Sequence, residues 1–275
     1  MPLPAYASTF DRIIYYVVRL LCALVLLFLV LPILVVLPLS FNSDPFVSFP
    51  IEEWSLRWYA TLFQGADWRR GAANTMIVAT ATTVLATILG TLAALGLKRG
   101  ELPLRTVIIA LLLSPMIVPI VVIAVSLYFF FARFGLVGTL TGLVLGHTLI
   151  ATPFVVVAVL STLASFDVNL TRAAASLGAG PVRTFVKVTL PLIMPGVVTG
   201  AIFAFITSLD EVVIALFVAG PEQHTLPRVM WKVVRQEITP EILAVACILV
   251  AMSLVMLGSL EYLRKRNLRI RGIRP

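Results

Sequence analysis

Charge is scarce in this chain. Only 12% of its 275 residues are Asp, Glu, Lys or Arg, while 60% are hydrophobic. Soluble domains carry about twice that share of charge. A water-soluble fold of this length has too little interior to hide so many apolar side chains. Histidine and cysteine are scarcer still, with two of each. His147 has no second metal-type ligand three or four residues away, so hydrogen-bonded packing suits it better than metal ligation. Cys22 and Cys247 both fall inside apolar runs and form no metal spacing, so they read as small buried hydrophobes, not as a disulfide. No Gly-x-x-x-x-Gly-Lys-Ser/Thr phosphate loop, Gly-x-Ser-x-Gly elbow or His-Glu-x-x-His pair is present. These absences argue against an enzyme and against a metal site. If the chain moves anything uphill with a nucleotide, another chain must bind that nucleotide.

What is abundant is apolar sequence in long runs. A helix needs roughly 20 apolar residues to cross the ~30 Å hydrocarbon core. Six segments qualify, at about 17–39, 73–97, 106–131, 139–163, 193–219 and 242–263. The expected fold is all-α and polytopic, with six transmembrane helices. The first run follows Arg12 and Arg19 and ends at Ser40-Phe41-Asn42 without a convincing cleavage site, so it reads as an uncleaved span. The formal charge is +8. Its basic residues cluster between and after apolar runs, so they suit anionic membrane lipid better than nucleic acid. With the N-terminus inside, fourteen Lys and Arg lie on the inner side and seven on the outer. That excess puts both termini in the cytoplasm. Three parts follow: residues 1–69 as first span and external loop, 70–262 as the membrane core with a cytoplasmic loop at 164–191, and 263–275 as a basic tail.

Local features add detail. Pro115 and Pro119 stand one turn apart in the third run, so that helix should bend or open. Gly142-x-x-x-Gly146 and Gly196-x-x-x-Gly200 permit close helix packing. The external loop 40–72 holds Trp58, Tyr59 and Trp68, which predicts a short helix on the outer surface. Interfacial anchoring and contact with an external partner are both open for it.

Leu170–Pro191 is the polar exception between apolar runs, with Arg172, Arg183 and Lys187. Asp167 is a candidate N-cap for an Ala-rich helix from Leu170 to Leu177. Gly178-Ala179-Gly180-Pro181 should break it and start a second short helix, ending near Leu190-Pro191. The result is a compact knob.

Asp210-Glu211 is the sharpest anomaly within an apolar run. On a single helix through the fifth span, Asp210 would lie roughly 6 Å outward of the centre. The two carboxylates would point ~100° apart, with Thr207 one turn below Glu211. A carboxylate at that depth should face the bundle interior or a water-filled cavity. Attraction of a cationic solute and a structural pairing to another helix are both open. The outer loop Gly220–Pro240 carries His224, Arg228, Lys232 and Arg235 beside Glu222 and Glu237, and reads as a charged, solvated loop.

In the knob, Ala173, Ala174, Gly178, Leu190 and Pro191 match the spacing Glu-Ala-Ala-x3-Gly-x9-Ile-x-Leu-Pro. This segment resembles the coupling loop of the permease subunits of bacterial ATP-binding-cassette importers of type I. Val188 stands for the isoleucine, and Arg172 replaces the glutamate with a charge reversal, so that glutamate's contact does not carry over. Ser55-Leu56-Arg57-Trp58-Tyr59, His147-Thr148, Pro153-Phe154, Ser208–Val213 and Thr225-Leu226-Pro227 are similar to the spermidine/putrescine branch, in particular its second permease subunit. The resemblance covers nearly the whole chain. It implies a location in the bacterial inner membrane and a homologous permease as partner. It also implies an ATPase pair that holds ATP and Mg and docks on Arg172, Ala173, Ala174, Gly178, Pro181, Val188, Leu190 and Pro191. An external solute-binding protein would deliver the substrate, with Asp210, Glu211 and Thr207 as path residues. The implied substrate is a polyamine; another small solute, such as an amino acid derivative or opine, remains open. A proton-coupled carrier with Asp210-Glu211 as relay is the reading from another class, and it would leave the knob without a use.

Overall fold

The computed structural model describes residues 8–98, 103–236 and 239–270, with side chains as far as Ser259. Arg99, Glu237 and the side chains of the basic tail lie outside the described residues. The chain divides into two compact units. One comprises residues up to Phe63 together with Val233–Val250; the other comprises Gln64–Lys232 and Ala251 onward.

The first unit opens with α1 (Thr9–Leu39), started by a capping box in which the Ser8 hydroxyl accepts the Asp11 N–H and the Asp11 carboxylate accepts the Ser8 N–H. No residue of α1 is buried, as suits a helix surrounded by lipid or by another subunit. Cys22 is therefore exposed, against expectation, while Cys247 is buried with its thiol 3.9 Å from the Val36 carbonyl. The expected short helix is α2 (Arg57–Gln64). Its aromatics do not behave as surface anchors, however. Trp58 is buried and donates its indole N–H to the Asn42 carbonyl at 2.7 Å, which removes the polar cost of burying it. Tyr59 and Ser40 share a hydroxyl contact of 2.8 Å, and the rings of Tyr59 and Phe41 lie 5.3 Å apart. Of the tryptophans in this loop, Trp54 is the one left exposed, at 68%.

The second unit holds α3 (Ala66–Lys98), α4 (Arg105–Leu113), α5 (Ile120–Ala132), α6 (Leu140–Ala164), α7 (Asn169–Ser176), α8 (Pro181–Thr184), α9 (Leu190–Leu209) and α10 (Val213–Val218). The chain continues through α11 (Leu226–Gln236) and α12 (Pro240–Ile270). No strand occurs among the described residues. Among the described residues five helices are long and apolar enough to span a membrane, and the sixth expected span is bent: α4 and its terminal turn meet α5 at 97°, the geometry of a broken span or a re-entrant loop. Pro115 sits in that terminal turn, Ser114–Met116, and Pro119 caps α5. Each proline lacks the N–H that a continuous helix would use, so the two together open the helix. The Ile117 and Val118 N–H groups both turn back to the Ser114 carbonyl at 3.0 Å.

At the centre, α3, α6 and α9 pack as a triplet around Val155, Val159, Ile193 and Ala204. Val155 of α6 is pressed from two sides by glycines. A Cβ on Gly90 of α3 would come within 2.6 Å of the Val155 Cβ, and one on Gly200 of α9 within 2.9 Å of its Cα. Gly196 continues that seam against Thr162 and Ala158. The expected role of Gly196-x-x-x-Gly200 is thus observed. Gly142 and Gly146 do not serve one partner helix: Gly146 abuts Ile214 of α10, whereas Gly142 lies against the Leu136 carbonyl in the preceding loop. His147 is fully buried between α6 and α9, with Nδ1 2.8 Å from the Ser208 hydroxyl, the packing role expected of it.

Candidate functional site

The knob forms much as its residues suggest, with two corrections. Asp167 does not cap α7. Val168 holds the cap position, and the Asp167 carboxylate instead accepts the Asn169 N–H at 2.9 Å, a short polar turn typical of aspartate. Helix α7 is closed by Gly178, whose φ of +79° is one that side chains rarely adopt. Around it, the Gly178 N–H reaches the Ala175 carbonyl at 2.9 Å and the Ala179 N–H reaches that of Ala174 at 3.0 Å. Gly180 is extended, and Pro181 then opens α8 as its first residue.

The second correction concerns the exit. The chain does not stop at Leu190-Pro191. Residues Phe185–Thr189 form one wide π turn, in which the Leu190 N–H reaches back to the Phe185 carbonyl, and α9 continues directly. Pro191 is the second residue of α9, where its missing N–H is accommodated after the widened turn. Pro181–Leu209 is therefore a continuous helical rod of 29 residues.

On the knob, Arg172, Ala173, Gly178, Pro181 and Pro191 are exposed, whereas Ala174, Val188 and Leu190 are half-buried. Two apolar side chains beside the break are among the most exposed in the chain: Leu177 at 89% and Val182 at 77%. Nothing lies within 4 Å of where a Cβ would sit on Gly178 or Gly180. Among the described contacts, Arg172 forms no ion pair; its carbonyl accepts the Ser176 hydroxyl at 3.1 Å. Beneath the knob is a cavity of about 730 Å³, lined by Lys98, Phe166, Thr171, Pro181, Phe185 and Thr189 among others.

The acidic pair differs more from expectation. The fifth apolar run is not one helix. Helix α9 ends at Leu209 with Asp210 as its C-cap, and the chain restarts as α10 at Val213. The Glu211 carboxylate accepts the Ile214 N–H at 2.8 Å and so anchors the start of α10. Asp210 is exposed, with its carboxylate outside that bond; Glu211 and Thr207 are half-buried. The two acids belong to a break, so the ~100° helical relation does not apply to them. Thr207 shares no helix face with Glu211.

The outer loop is not free in solvent. Asn74 of α3 donates to the Glu222 and His224 carbonyls, both at 2.9 Å, and the Leu226 N–H reaches the Thr75 hydroxyl at 2.7 Å. Arg70 pairs with Glu222 at 2.6 Å. The Arg228 guanidinium donates to the Ala219 and Gly220 carbonyls at 2.8 and 2.9 Å, and its burial pushes its pKa down. No group of three or more potential metal ligands occurs among the described residues.

Comparison with known proteins agrees with this architecture. Residues 86–269 match the family described as binding-protein-dependent transport system inner membrane component. The chain is 34% identical to the spermidine/putrescine transport system permease protein PotC of Escherichia coli over 229 residues, 83% of this chain and 86% of that protein. It is likewise 34% identical to the putrescine transport system permease protein PotI of Escherichia coli, with 81% of each chain covered. In fold it is similar to a chain of a bacterial ABC transporter that imports the acidic polysaccharide alginate, with a TM-score of 0.72 and 17% identity over 96% of this chain and 99% of that one. A helical membrane core with a protruding knob fits these relatives: the chain belongs to the binding-protein-dependent inner membrane components and, like them, is a permease subunit of an ATP-binding-cassette importer and not an enzyme.

Proposed function

We propose that this permease carries a small cationic solute of the polyamine class, spermidine or putrescine, inward across the bacterial cytoplasmic membrane. The observation that carries this reading is Asp210. Its carboxylate is exposed at a break between two apolar helices, where an uncompensated charge is costly unless it faces water or a cation. The names of the permeases with which the chain shares 34% identity support the same solute class.

In this reading the path is completed by a homologous permease, which would make the pair a heterodimer. The basic-residue excess supports a cytoplasmic side for both termini, together with residues 164–191 and the tail 263–275. Residues 1–69 supply the first span and outer loop, and 70–262 the core. A pair of ATPase subunits, holding ATP and Mg, docks on the knob through Leu177, Val182 and the coupling residues from Arg172 to Pro191. The uncovered apolar side chains at its tip are what such docking needs. An external solute-binding protein hands solute to the outer side. Asp210, not Glu211, then lines the path, because the Glu211 carboxylate is occupied at the start of α10.

Reconstitution of the complete complex tests this. Spermidine or putrescine should stimulate ATP hydrolysis and be taken up, and Asp210→Asn should raise the KM for uptake. Stimulation by an opine or amino acid derivative, with polyamines inert, would assign the importer to another small solute.

A further inference from the structure

The knob stands over a cavity, so it is tied to the membrane helices mainly at its two roots. One root is the π turn into α9. The other is the stretch Leu163–Val168 at the end of α6, and there a residue of a third helix intervenes. Lys98 is the last residue of α3. Its ammonium donates to the Leu163 carbonyl at 3.1 Å and to the Phe166 carbonyl at 3.2 Å, and it lies 4.1 Å from the centroid of the Phe166 ring. The carbonyls at a helix C-terminus lack intrahelical partners and carry partial negative charge. A lysine from another helix, 65 and 68 residues away in sequence, adds a charge-assisted bond to each of two carbonyls here: that of Leu163, which also accepts the Phe166 N–H at 3.2 Å, and that of Phe166, just past the helix end. The ring face adds a cation–π contact.

We infer that Lys98 is a positioning residue for energy coupling: by clamping the entry root of the knob to α3, it makes α3 move with the knob alongside α6 and α9. The chain itself joins the knob only to α6 and α9. The third member of the central triplet has no covalent share in the knob; its packing on α6 and α9 links it to them within the core, and the Lys98 clamp adds a direct link at the root of the knob. A push on the knob then reaches all three helices that meet around Val155. This inference rests on the reading of the knob as the ATPase dock.

The test uses the complete reconstituted complex and measures solute transported per ATP hydrolysed. Lys98→Met should assemble with the ATPase and retain the wild-type KM for solute, but the transport-to-hydrolysis ratio should fall by about fivefold or more, the low end of site-to-site coupling. Lys98→Arg, which keeps charge and donors, should restore the ratio. Phe166→Leu, which removes the ring but not the carbonyl, should give an intermediate value. A wild-type ratio in Lys98→Met overturns the inference. So does loss of assembly in Lys98→Met and Lys98→Gln alike, since the residue would then hold the fold and not transmit motion. Failure of the wild-type chain to recruit an ATPase would instead reject the docking reading itself.

Discussion

His147 Nδ1 and the Ser208 hydroxyl lie 2.8 Å apart at the buried contact of α6 with α9, and both residues are almost wholly withdrawn from solvent. The other ring nitrogen, Nε2, has no hydrogen-bond partner among the described residues. The imidazole thus depends on one hydroxyl. Ser208→Ala should cost about 1–3 kcal/mol, the penalty for orphaning a buried polar group, whereas Ser208→Thr should cost less. Thermal unfolding of the purified protein in detergent measures both.

The packing of Gly90 and Gly200 on Val155 leaves no room for a larger residue. Gly200→Ala should destabilise the helix triplet by about 1–3 kcal/mol through overpacking. Combining it with Val155→Ala should recover part of that loss, because both changes act on one contact. A double mutant no more stable than the additive sum would show that the strain is relieved elsewhere.

The two acids of the break should separate cleanly. Glu211→Gln weakens the anchor at the start of α10 and should lower stability by about 1 kcal/mol. Asp210→Asn should leave stability close to wild type and act on uptake. Parallel melting curves and uptake kinetics of the two variants decide whether stability and transport divide in this way.

At the knob, Leu177→Asp places a charge on a side chain that touches little of its own chain. It should leave expression and unfolding unchanged and abolish co-purification of the ATPase. Gly178→Ala strains a left-handed residue and should cost about 1 kcal/mol, with weakened but detectable recruitment. Pull-down against the ATPase subunit compares them directly.

Much of this was readable from residue order. The apolar runs mark the spans because length and composition alone set what can cross a bilayer. Pro115 and Pro119 mark the broken span, and Gly178 and Pro181 mark the turn of the knob, because each restricts the backbone locally. Other features depend on partners far away in sequence. The apolar run through 193–219 conceals the end of α9, since hydropathy does not register that Glu211 bonds the Ile214 N–H. Leu190-Pro191 looks like a terminus because a proline usually ends a helix, and the π turn that accommodates it has no sequence mark. Trp58 looks like an interfacial anchor until the Asn42 carbonyl, 16 residues away, takes its indole N–H. Lys98 looks like one more flanking charge; only the fold brings α3 and α6 to a common end.

The continuous helix from Pro181 to Leu209 has the reach of a lever arm. At ~1.5 Å per residue, its 29 residues reach about 43 Å. A tilt of about 5° at the knob would swing the opposite end by roughly 4 Å. Asp210 sits at that end. Moving as one piece, such an arm would turn a small displacement at the knob into a larger one beside the acidic break.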